Sequence, residues 1–315
     1  MVVATFPGQG SQRPGMGLEL HDRFAAARNV FEAVEVATDR PIRRICFEFS
    51  EEELRETQNA QLALFTCGLA AYRALQAEVP DLAPIAFAGH SVGEYAAVCA
   101  SGALSLEQSA RLVDRRGQIM AASGRERPGT MAAILGMTVA DLDQVCVDSS
   151  RPGSVVVVAN DNCPGQLVIS GDTDAVQRAC VMATERGAKR ALPLNVSGAF
   201  HSPLMDTPAE EMTRALAEAT FGPMSAPVIS NSRASRAEDA ESVAAGLKEQ
   251  LRSAVRWTES VGVMLGTGGT TFLEFGSGEV LTGLLRRIDK SAAGLPVVDA
   301  ATLESAVAAL QGVPA

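Results

Sequence analysis

Residues 85–101 read IAFAGHSVGEYAAVCAS. The apolar run at 85–89 predicts a buried strand, and the small residues at 92–101 predict a tightly packed helix. Glycines at the junction permit a sharp turn, and 89–93 match GxSxG, a pattern typical of a serine exposed on a strand-to-helix turn. This combination predicts an α/β fold with Ser91 at the turn.

Ser91 is the candidate nucleophile. At the start of a helix its hydroxyl would lie beside backbone N–H groups and the positive end of the helix dipole, which together stabilise an oxyanion. A loop of glycine and serine also matches GxSxG by chance, so a purely structural turn remains the alternative.

A serine nucleophile needs a base, and the chain has three histidines, His21, His90 and His201. His21 lies in a polar segment remote from any glycine loop. His90 is adjacent to Ser91 and is expected to project away from it, packing or hydrogen bonding beside the turn. His201 is the better candidate, because the following Ser-Pro pair predicts a helix start and places it on a loop at the carboxyl end of a strand. The alternative for His201 is a loop histidine satisfied by backbone groups.

A helical wheel drawn from Leu106 separates two adjacent arginines. Arg116 falls between apolar neighbours, whereas Arg115 falls on the polar edge with Gln108. A lone guanidinium in an apolar sector is costly unless an anion meets it, and its fork matches a carboxylate. Either a substrate with a free carboxylate or an internal Asp or Glu would meet this need.

The loop GQGSQ, residues 8–12, follows the first predicted strand. It matches neither GxGxxG nor GK[ST], which argues against a dinucleotide site and a P-loop. One of its backbone N–H groups could join that of Val92 in an oxyanion hole; the alternative is a tight surface turn without a ligand. No single acid stands out among the 37 Asp and Glu residues to orient His201, and a backbone carbonyl or an amide could serve instead.

The composition excludes several function classes. A formal net charge of −10 argues against general binding to nucleic acid or to an anionic membrane. The six cysteines form no CxxC pair, which predicts buried thiols instead of disulfides or a zinc site. No uncharged apolar stretch approaches ~18 residues and no basic leader precedes the first strand, so we expect a cytoplasmic protein. From the cysteine pattern we expect no metal.

The rest of the pattern predicts two domains. A polar hinge at 123–128 precedes a β-α-β-β-α-β order, which predicts a small ferredoxin-like domain at 125–195. Alternating helices and strands then resume, so residues 1–124 and 196–315 are expected to form one discontinuous, α/β-hydrolase-like large domain. An Ala-rich terminal helix is predicted at 305–315.

Six segments carry a family resemblance, and in chain order they are PGQGSQ (7–12), GHSVGEYAA (89–97), RRGQIM (115–120), NDNCPGQLVISG (160–171), GAFHSPLM (198–205) and GSGEVLTGLLRRI (276–288). Together they resemble the malonyl-CoA:acyl carrier protein transacylases and the related acyltransferase domains of polyketide synthases. The resemblance covers essentially the whole chain, and the six ordered motifs make it specific.

The resemblance implies a ping-pong acyl transfer without a cofactor. Ser91 would attack the thioester of malonyl-CoA, His201 would take and return the proton, and the phosphopantetheine thiol of an acyl carrier protein would remove the acyl group. By similarity, backbone N–H groups of Gln9 and Val92 form the oxyanion hole, and Arg116 binds the malonyl carboxylate.

The same resemblance assigns several further positions. Gln250 matches the position whose backbone carbonyl orients the histidine, and Gln61 matches a glutamine near the site, within AQLAL where the family usually reads TQPAL. Asn160 and Asn162 fit a segment at the coenzyme A entrance. The other residues expected to line the site are His90, Met120 and Phe200.

Specificity and partners also follow from the resemblance. Phe200, within GAFH, matches the AFH form of malonyl-selecting polyketide acyltransferases, since a ring there would crowd an α-methyl group. Carrier proteins of this system are acidic, so docking on a chain of net charge −10 would need a local basic patch. The candidates for this patch are Arg186, Lys189, Arg190, Arg286, Arg287 and Lys290.

Three other functions remain open. A discrete, trans-acting acyltransferase of a polyketide synthase would use the same catalytic residues and a different carrier protein. A serine hydrolase or editing thioesterase needs only the GxSxG turn and would lose its acyl group to water. A catalytically silent module that binds carrier proteins would have no need of an intact Ser91 and His201.

Overall fold

The computed structural model describes residues 1–312, and residues 313–315 lie outside the described part. The chain is a mixed α/β protein with two sheets, so the predicted α/β class is confirmed. The strands are β1 (Val2–Phe6), β2 (Ala86–Gly89), β3 (Thr130–Leu135), β4 (Val156–Cys163), β5 (Gln166–Gly171), β6 (Arg190–Pro193), β7 (Val228–Ser230), β8 (Ser235–Ala237), β9 (Val255–Arg256), β10 (Thr271–Phe275) and β11 (Ala293–Val297).

A short 3-10 helix at Pro203–Met205 accompanies the α-helices. The α-helices are α1 (Leu18–Arg23), α2 (Ala25–Thr38), α3 (Ile42–Phe47), α4 (Glu51–Arg55), α5 (Thr57–Glu78), α6 (Gly93–Ser101), α7 (Leu106–Glu126), α8 (Val139–Ser149), α9 (Thr173–Glu185), α10 (Asp206–Ala217), α11 (Ala240–Gln250), α12 (Trp257–Gly266), α13 (Val280–Ile288) and α14 (Ala300–Gln311).

The first sheet has six strands in the order β11-β10-β1-β2-β7-β8. All neighbours in it are parallel except β7 and β8. Helices that include α5 and α6 cover this sheet, and its central strands are mainly apolar, as is typical of buried parallel strands. The carboxyl ends of β1 and β2 therefore lie side by side, and the loops that follow these two strands meet at one edge.

The second sheet has five strands in the order β6-β3-β5-β4-β9. Its first four strands pair antiparallel and come from the continuous run β3-α8-β4-β5-α9-β6, with α8 and α9 packed against the sheet. The fifth strand, β9, comes from far along the chain and pairs parallel with β4, where Asn160 is opposite Val255. This strand joins the segment after α11 to the second sheet.

The predicted hinge at 123–128 is wrong at its first four residues, because α7 continues to Glu126. Gly124 has a packing role in this helix, since a Cβ there would lie 1.9 Å from the carbonyl oxygen of Ser197. A glycine inside a helical pattern can mark such a close approach, and here it lets the segment before His201 pass against α7.

Other differences concern short or edge elements. β9 has two residues and β11 carries Pro296 at a sheet edge, so neither has a clear strand signal. β4 extends to Cys163, which places Asn160 and Asn162 on the strand. The terminal helix begins before the predicted 305–315, and the last three positions of that prediction lie outside the described residues.

The six cysteines are free thiols in the structure, five of them buried and Cys180 half-buried. Within residues 1–312, no cluster of three or more His, Cys, Asp or Glu side chains could hold a metal ion. No helix in the same part of the chain has the length and apolar character needed to cross a bilayer.

Candidate active site

The turn between β2 and α6 has the sharp geometry that GxSxG predicts. Its strained residue is Ser91 itself, with φ +53°, while the glycines supply space. A Cβ on Gly89 would lie 2.0 Å from the Gly93 carbonyl oxygen, and one on Gly93 would lie 2.1 Å from that of Phe6. The Asn231 side chain braces the turn, because its Oδ1 accepts a hydrogen bond from the Ser91 N–H at 2.7 Å.

The structure places Ser91 and His201 in contact, with 2.8 Å between Oγ and Nε2. His201 Nδ1 lies 3.0 Å from the Gln250 carbonyl oxygen and 3.1 Å from that of Ser253. Both carbonyls can only accept, so Nδ1 carries the proton and Nε2 presents its lone pair to the serine hydroxyl. The two backbone carbonyls thus orient the His201 ring, which is the role of the aspartate in a Ser-His-Asp triad.

Burial, together with the positive charge of Arg116, lowers the pKa of His201 to about 3, against the two carbonyl contacts that favour the charged ring. The imidazole is therefore neutral near pH 7. A neutral, oriented imidazole in contact with a serine hydroxyl is the arrangement required of a general base.

Unlike His201, the His90 side chain contacts Asn162 and Trp257. Its Nε2 is 2.8 Å from Asn162 Oδ1, and its ring lies 5.7 Å from that of Trp257. Burial lowers the pKa of His90. The residue links the serine turn to β4, in keeping with the expectation that it hydrogen bonds beside the turn.

Arg116 is fully buried on α7, as the helical wheel predicts, whereas Arg115 is exposed and lies 3.3 Å from Glu211. Nη1 of Arg116 donates to Gln61 Oε1 at 2.6 Å, and Nη2 of Arg116 donates to Ser91 Oγ at 3.1 Å. Within residues 1–312 the guanidinium forms no ion pair, so the internal salt bridge left open by the sequence is not formed here. The cation lies against neutral acceptors beside the nucleophile.

Two further groups complete the surroundings of this cation. Nη2 of Arg116 also donates to Gln250 Oε1 at 3.0 Å, and the guanidinium lies 5.6 Å from the centre of the Tyr95 ring. Gln61 Nε2 contacts Met120 Sδ at 3.2 Å. Burial lowers the pKa of Arg116 from its usual value. The predicted residues Gln61, Met120, Arg116 and Gln250 thus form one contact group behind Ser91.

A cleft of about 460 Å³ opens at Ser91 and is lined from both sheets and their loops. Arg116, Gln61 and Gln250 are at most 1% exposed and lie behind this lining. The predicted site residues that line it are Gln9, His90, Ser91, Met120, Asn160, Asn162, Phe200 and His201.

The loop after β1 packs directly on the serine turn. A Cβ on Gly8 would lie 2.5 Å from the carbonyl oxygen of His90, so only glycine permits this approach. The N–H groups of Gln9 and Val92 find no acceptor among the described residues. Both are available to a developing negative charge near Ser91.

Sequence reasoning missed three residues that hold this site together. Glu94 is buried on α6, Asn231 follows β7, and Ser253 supplies the second carbonyl to His201. Glu94 could have been found from the sequence, because it is a charged residue in the apolar run that follows GxSxG. No sequence pattern indicates Asn231 or Ser253, because each acts through a contact with a residue that is distant in sequence.

This chain is similar over nearly its whole length to proteins of known activity. Residues 3–306 match the model of the acyl transferase domain family. The chain is 40% identical over 310 residues to the malonyl CoA-acyl carrier protein transacylase of Bacillus subtilis (strain 168), covering 98% of this chain and 97% of that protein.

Solved structures agree with these relatives. The crystal structure of an acyl-carrier-protein-S-malonyltransferase from Bartonella henselae matches with a TM-score of 0.93 and 40% identity, covering 99% of both chains. A malonyl-transacylase solved in complex with its type II PKS acyl-carrier protein matches with a TM-score of 0.93 and 36% identity, covering 97% of this chain and 98% of that one. On the sequence match, the fold and these identities together, the chain belongs to the acyl transferase domain family.

Proposed function

We propose that this chain transfers a malonyl group from malonyl-CoA to the phosphopantetheine thiol of an acyl carrier protein through a malonyl-Ser91 ester. The observation that carries the proposal is the contact of Ser91 Oγ with both His201 Nε2 and Arg116 Nη2. A nucleophile beside a base fits acyl transfer, and a buried guanidinium without a carboxylate partner fits a substrate with a free carboxylate. The names of the similar proteins support the same substrates.

In the first half-reaction, Ser91 Oγ attacks the thioester carbonyl carbon while His201 Nε2 takes the hydroxyl proton. The resulting oxyanion receives hydrogen bonds from the N–H groups of Gln9 and Val92. Collapse of this intermediate breaks the C–S bond, and His201 returns its proton to the coenzyme A thiolate. The product is malonyl-Ser91.

In the second half-reaction, the carrier thiol loses its proton to His201 and attacks the ester carbonyl of malonyl-Ser91. Collapse returns the proton to Ser91 Oγ and releases the malonyl thioester of the carrier. All the groups that react belong to the chain and its two substrates, so the mechanism uses no cofactor.

The position of Arg116 suits malonyl chemistry. The carboxylate of a malonyl group is two bonds from the carbonyl carbon that Ser91 attacks, so its receptor must lie beside the nucleophile. The Nη2 atom 3.1 Å from Ser91 Oγ lies in that position. Arg116 is therefore the residue that selects a donor with a free carboxylate.

Within the α/β class, we assign residues 1–124 and 196–315 to an α/β-hydrolase-like large domain and residues 125–195 to a ferredoxin-like small domain. The order β6-β3-β5-β4 with two covering helices supports the small domain, and the strand-turn-helix at Ser91 in a parallel sheet supports the large one. Asn160 and Asn162, on β4 of the small domain, line the cleft that opens at Ser91 and suit the coenzyme A entrance.

The basic residues predicted to dock a carrier protein are all exposed. Arg287 contacts the cleft lining, since it donates a hydrogen bond to Gln166, a residue of that lining. Arg186 is already paired with Asp148 at 2.6 Å. The α13 side of the cleft is thus the better supported place for an acidic carrier.

A discrete acyltransferase of a polyketide pathway is the second candidate function. The similarity to a malonyl-transacylase bound to its type II PKS acyl-carrier protein favours it specifically. Both candidates use the same chemistry and differ in the carrier protein that accepts the acyl group.

Intact-protein mass spectrometry tests the proposal. The enzyme is mixed with malonyl-, methylmalonyl- and acetyl-CoA in competition, then chased with a fatty-acid or a polyketide carrier protein. A malonyl adduct that survives in water and leaves to a carrier supports the proposed function, and the preferred carrier assigns the pathway. Rapid loss of the adduct to water would identify a hydrolase instead.

The pH dependence of acylation provides a prediction for His201. Its pKa is lowered to about 3, so the acid limb of Ser91 acylation should lie well below pH 6.5, the usual value for a free histidine. Single-turnover acylation rates from about pH 4 to about pH 8 test this, because the rate should show no fall attributable to His201 near pH 6.5. Because burial also raises the pKa of Glu94 to about 7, the Glu94→Gln variant is measured in parallel. An acid limb near 6.5 in that variant would argue against a buried, neutral base.

Replacement of Phe200 by serine is expected to shift the preference between methylmalonyl-CoA and malonyl-CoA by about 10-fold toward methylmalonyl. Phe200 is buried in the cleft wall next to His201, and loss of its ring leaves room for an α-methyl group. Competition between the two donors, read as the ratio of the two adducts, measures the shift. An unchanged ratio with both rates reduced would assign Phe200 a packing role only.

A further inference from the structure

Glu94 is a buried carboxyl group with no part in the chemistry proposed above. It lies on α6, three residues after Ser91, and is 2% exposed. Its Oε2 accepts hydrogen bonds from Gln250 Nε2 at 2.6 Å and from the Asn231 N–H at 3.3 Å. A carboxyl group buried this deeply requires a reason.

The side-chain amide of Gln250 lies between Glu94 and Arg116. Its Nε2 donates to Glu94 and, at 2.9 Å, to the Ser91 carbonyl oxygen, while its Oε1 accepts from Arg116 Nη2 at 3.0 Å. A carboxylate only accepts hydrogen bonds and a guanidinium only donates them, so the two groups fix the amide in one orientation. The buried cation is thereby linked to a buried anion that it does not touch.

The indirect link suits a guanidinium that must bind a substrate. A carboxylate bound directly at Nη2, where the Gln250 amide now lies, would occupy the group that lies beside Ser91 and that a substrate carboxylate needs. A buried guanidinium with no counter-charge at all is costly. Glu94, acting through Gln250, supplies the counter-charge and leaves Nη2 beside Ser91.

Glu94 has a second contact, which suggests a competing structural role. Asn231 donates its N–H to Glu94, and its side chain holds both the Ser91 N–H and the Gly89 carbonyl, each at 2.7 Å. If Glu94 acted only through this contact, its loss would disturb the nucleophile itself and would slow acylation by every donor equally.

We propose that Glu94 is a positioning residue for carboxylate recognition, which holds and electrically balances the Arg116 guanidinium through the Gln250 amide. This inference rests on the proposed function, because it concerns the donor carboxylate. It predicts that Glu94 governs the choice between malonyl and acetyl donors, even though it touches neither.

The Glu94→Gln variant is suited to the test. Burial raises the pKa of Glu94 to about 7, against the contacts with Gln250 and Asn231 and the charge of Arg116. The wild-type carboxyl group is therefore mostly charged at about pH 8, and the variants are compared at that pH. Glutamine keeps the size of the side chain and one acceptor oxygen but removes the charge. It also adds a donor, so that the orientation of the Gln250 amide is no longer fixed.

The experiment measures single-turnover acylation of Ser91 from malonyl-CoA and from acetyl-CoA. In Glu94→Gln we expect the malonyl rate constant to fall by about 10-fold or more and the acetyl value to change by less than about 3-fold. Glu94→Asp keeps the charge but is too short to reach Gln250, so it should show the same selective loss. Glu107→Gln, an exposed glutamate in the first turn of α7, is the matched control and should change neither rate.

A double-mutant cycle with Arg116→Ala identifies the route. If Glu94 acts through Arg116, adding Glu94→Gln to Arg116→Ala should cause no further loss of malonyl acylation. An equal loss for both donors in Glu94→Gln, or a full additional loss in the double variant, would overturn the proposal. Glu94 would then act through Asn231 on the turn that carries Ser91. A wild-type protein that forms no malonyl ester at all would instead overturn the proposed function.

Discussion

Replacing Ser91 with alanine should abolish the malonyl-enzyme adduct while the protein remains folded. The variant loses one oxygen atom, which is the atom that attacks, and retains the partners that hold the turn through its backbone, Asn231 and Gln250. Loss of a nucleophile in a comparable serine enzyme lowers kcat by about 10⁶-fold, so the residual rate here should be undetectable. Intact-protein mass spectrometry after incubation with malonyl-CoA measures the adduct.

Ser101→Ala is the matched control for this variant. Ser101 is a buried serine at the far end of the same helix, α6, and its hydroxyl bonds only to the chain nearby. The control should keep the adduct, and thermal unfolding of both variants checks the fold. A malonyl adduct that persists in Ser91→Ala would remove Ser91 as the nucleophile.

Arg116→Ala should lose malonyl transfer by about 100-fold or more while acetyl transfer is retained or rises relative to it. Truncating one member of a buried, hydrogen-bonded charge pair costs about 2–5 kcal/mol, and about 3 kcal/mol corresponds to that factor. The substrate carboxylate would then enter a buried site without a cation. The acylation rates with malonyl-CoA and acetyl-CoA give the selectivity directly.

Two variants distinguish recognition from packing at this position. Arg115→Ala removes an exposed arginine on the same helix and should leave both donors unaffected. Arg116→Lys keeps the charge but loses the planar fork, so it should recover malonyl transfer only in part. Equal losses for malonyl and acetyl donors in Arg116→Ala would identify a structural arginine.

The parts of the fold that could be predicted from the sequence are those whose signal is local. The strand, turn and helix around Ser91 follow from GxSxG and its apolar flanks, and the burial of Arg116 follows from helical periodicity. β9 could not be predicted in this way, because a two-residue strand is defined by its partner β4 and has no pattern of its own. Gly124 supported the incorrect hinge prediction for a similar reason, since a glycine is required there by the distant carbonyl group of Ser197 and not by a break in the helix.

The same division applies to the candidate site. Residue chemistry alone selected Ser91, His201 and Arg116, and the structure brings these three together. It could not select what orients the histidine, because a carbonyl oxygen is present at every residue and only the fold determines which one is used. Family resemblance supplied Gln250, and neither route supplied Glu94.

The short strand β9 connects the second sheet to the residues that hold the catalytic pair. The segment leading into it holds His201 through the carbonyls of Gln250 and Ser253, and Arg256 on the strand donates its N–H to the carbonyl of Asn231, the residue that braces Ser91. The same strand is hydrogen bonded to β4. One short stretch of chain therefore contacts the second sheet, the catalytic base and the residue that supports the nucleophile.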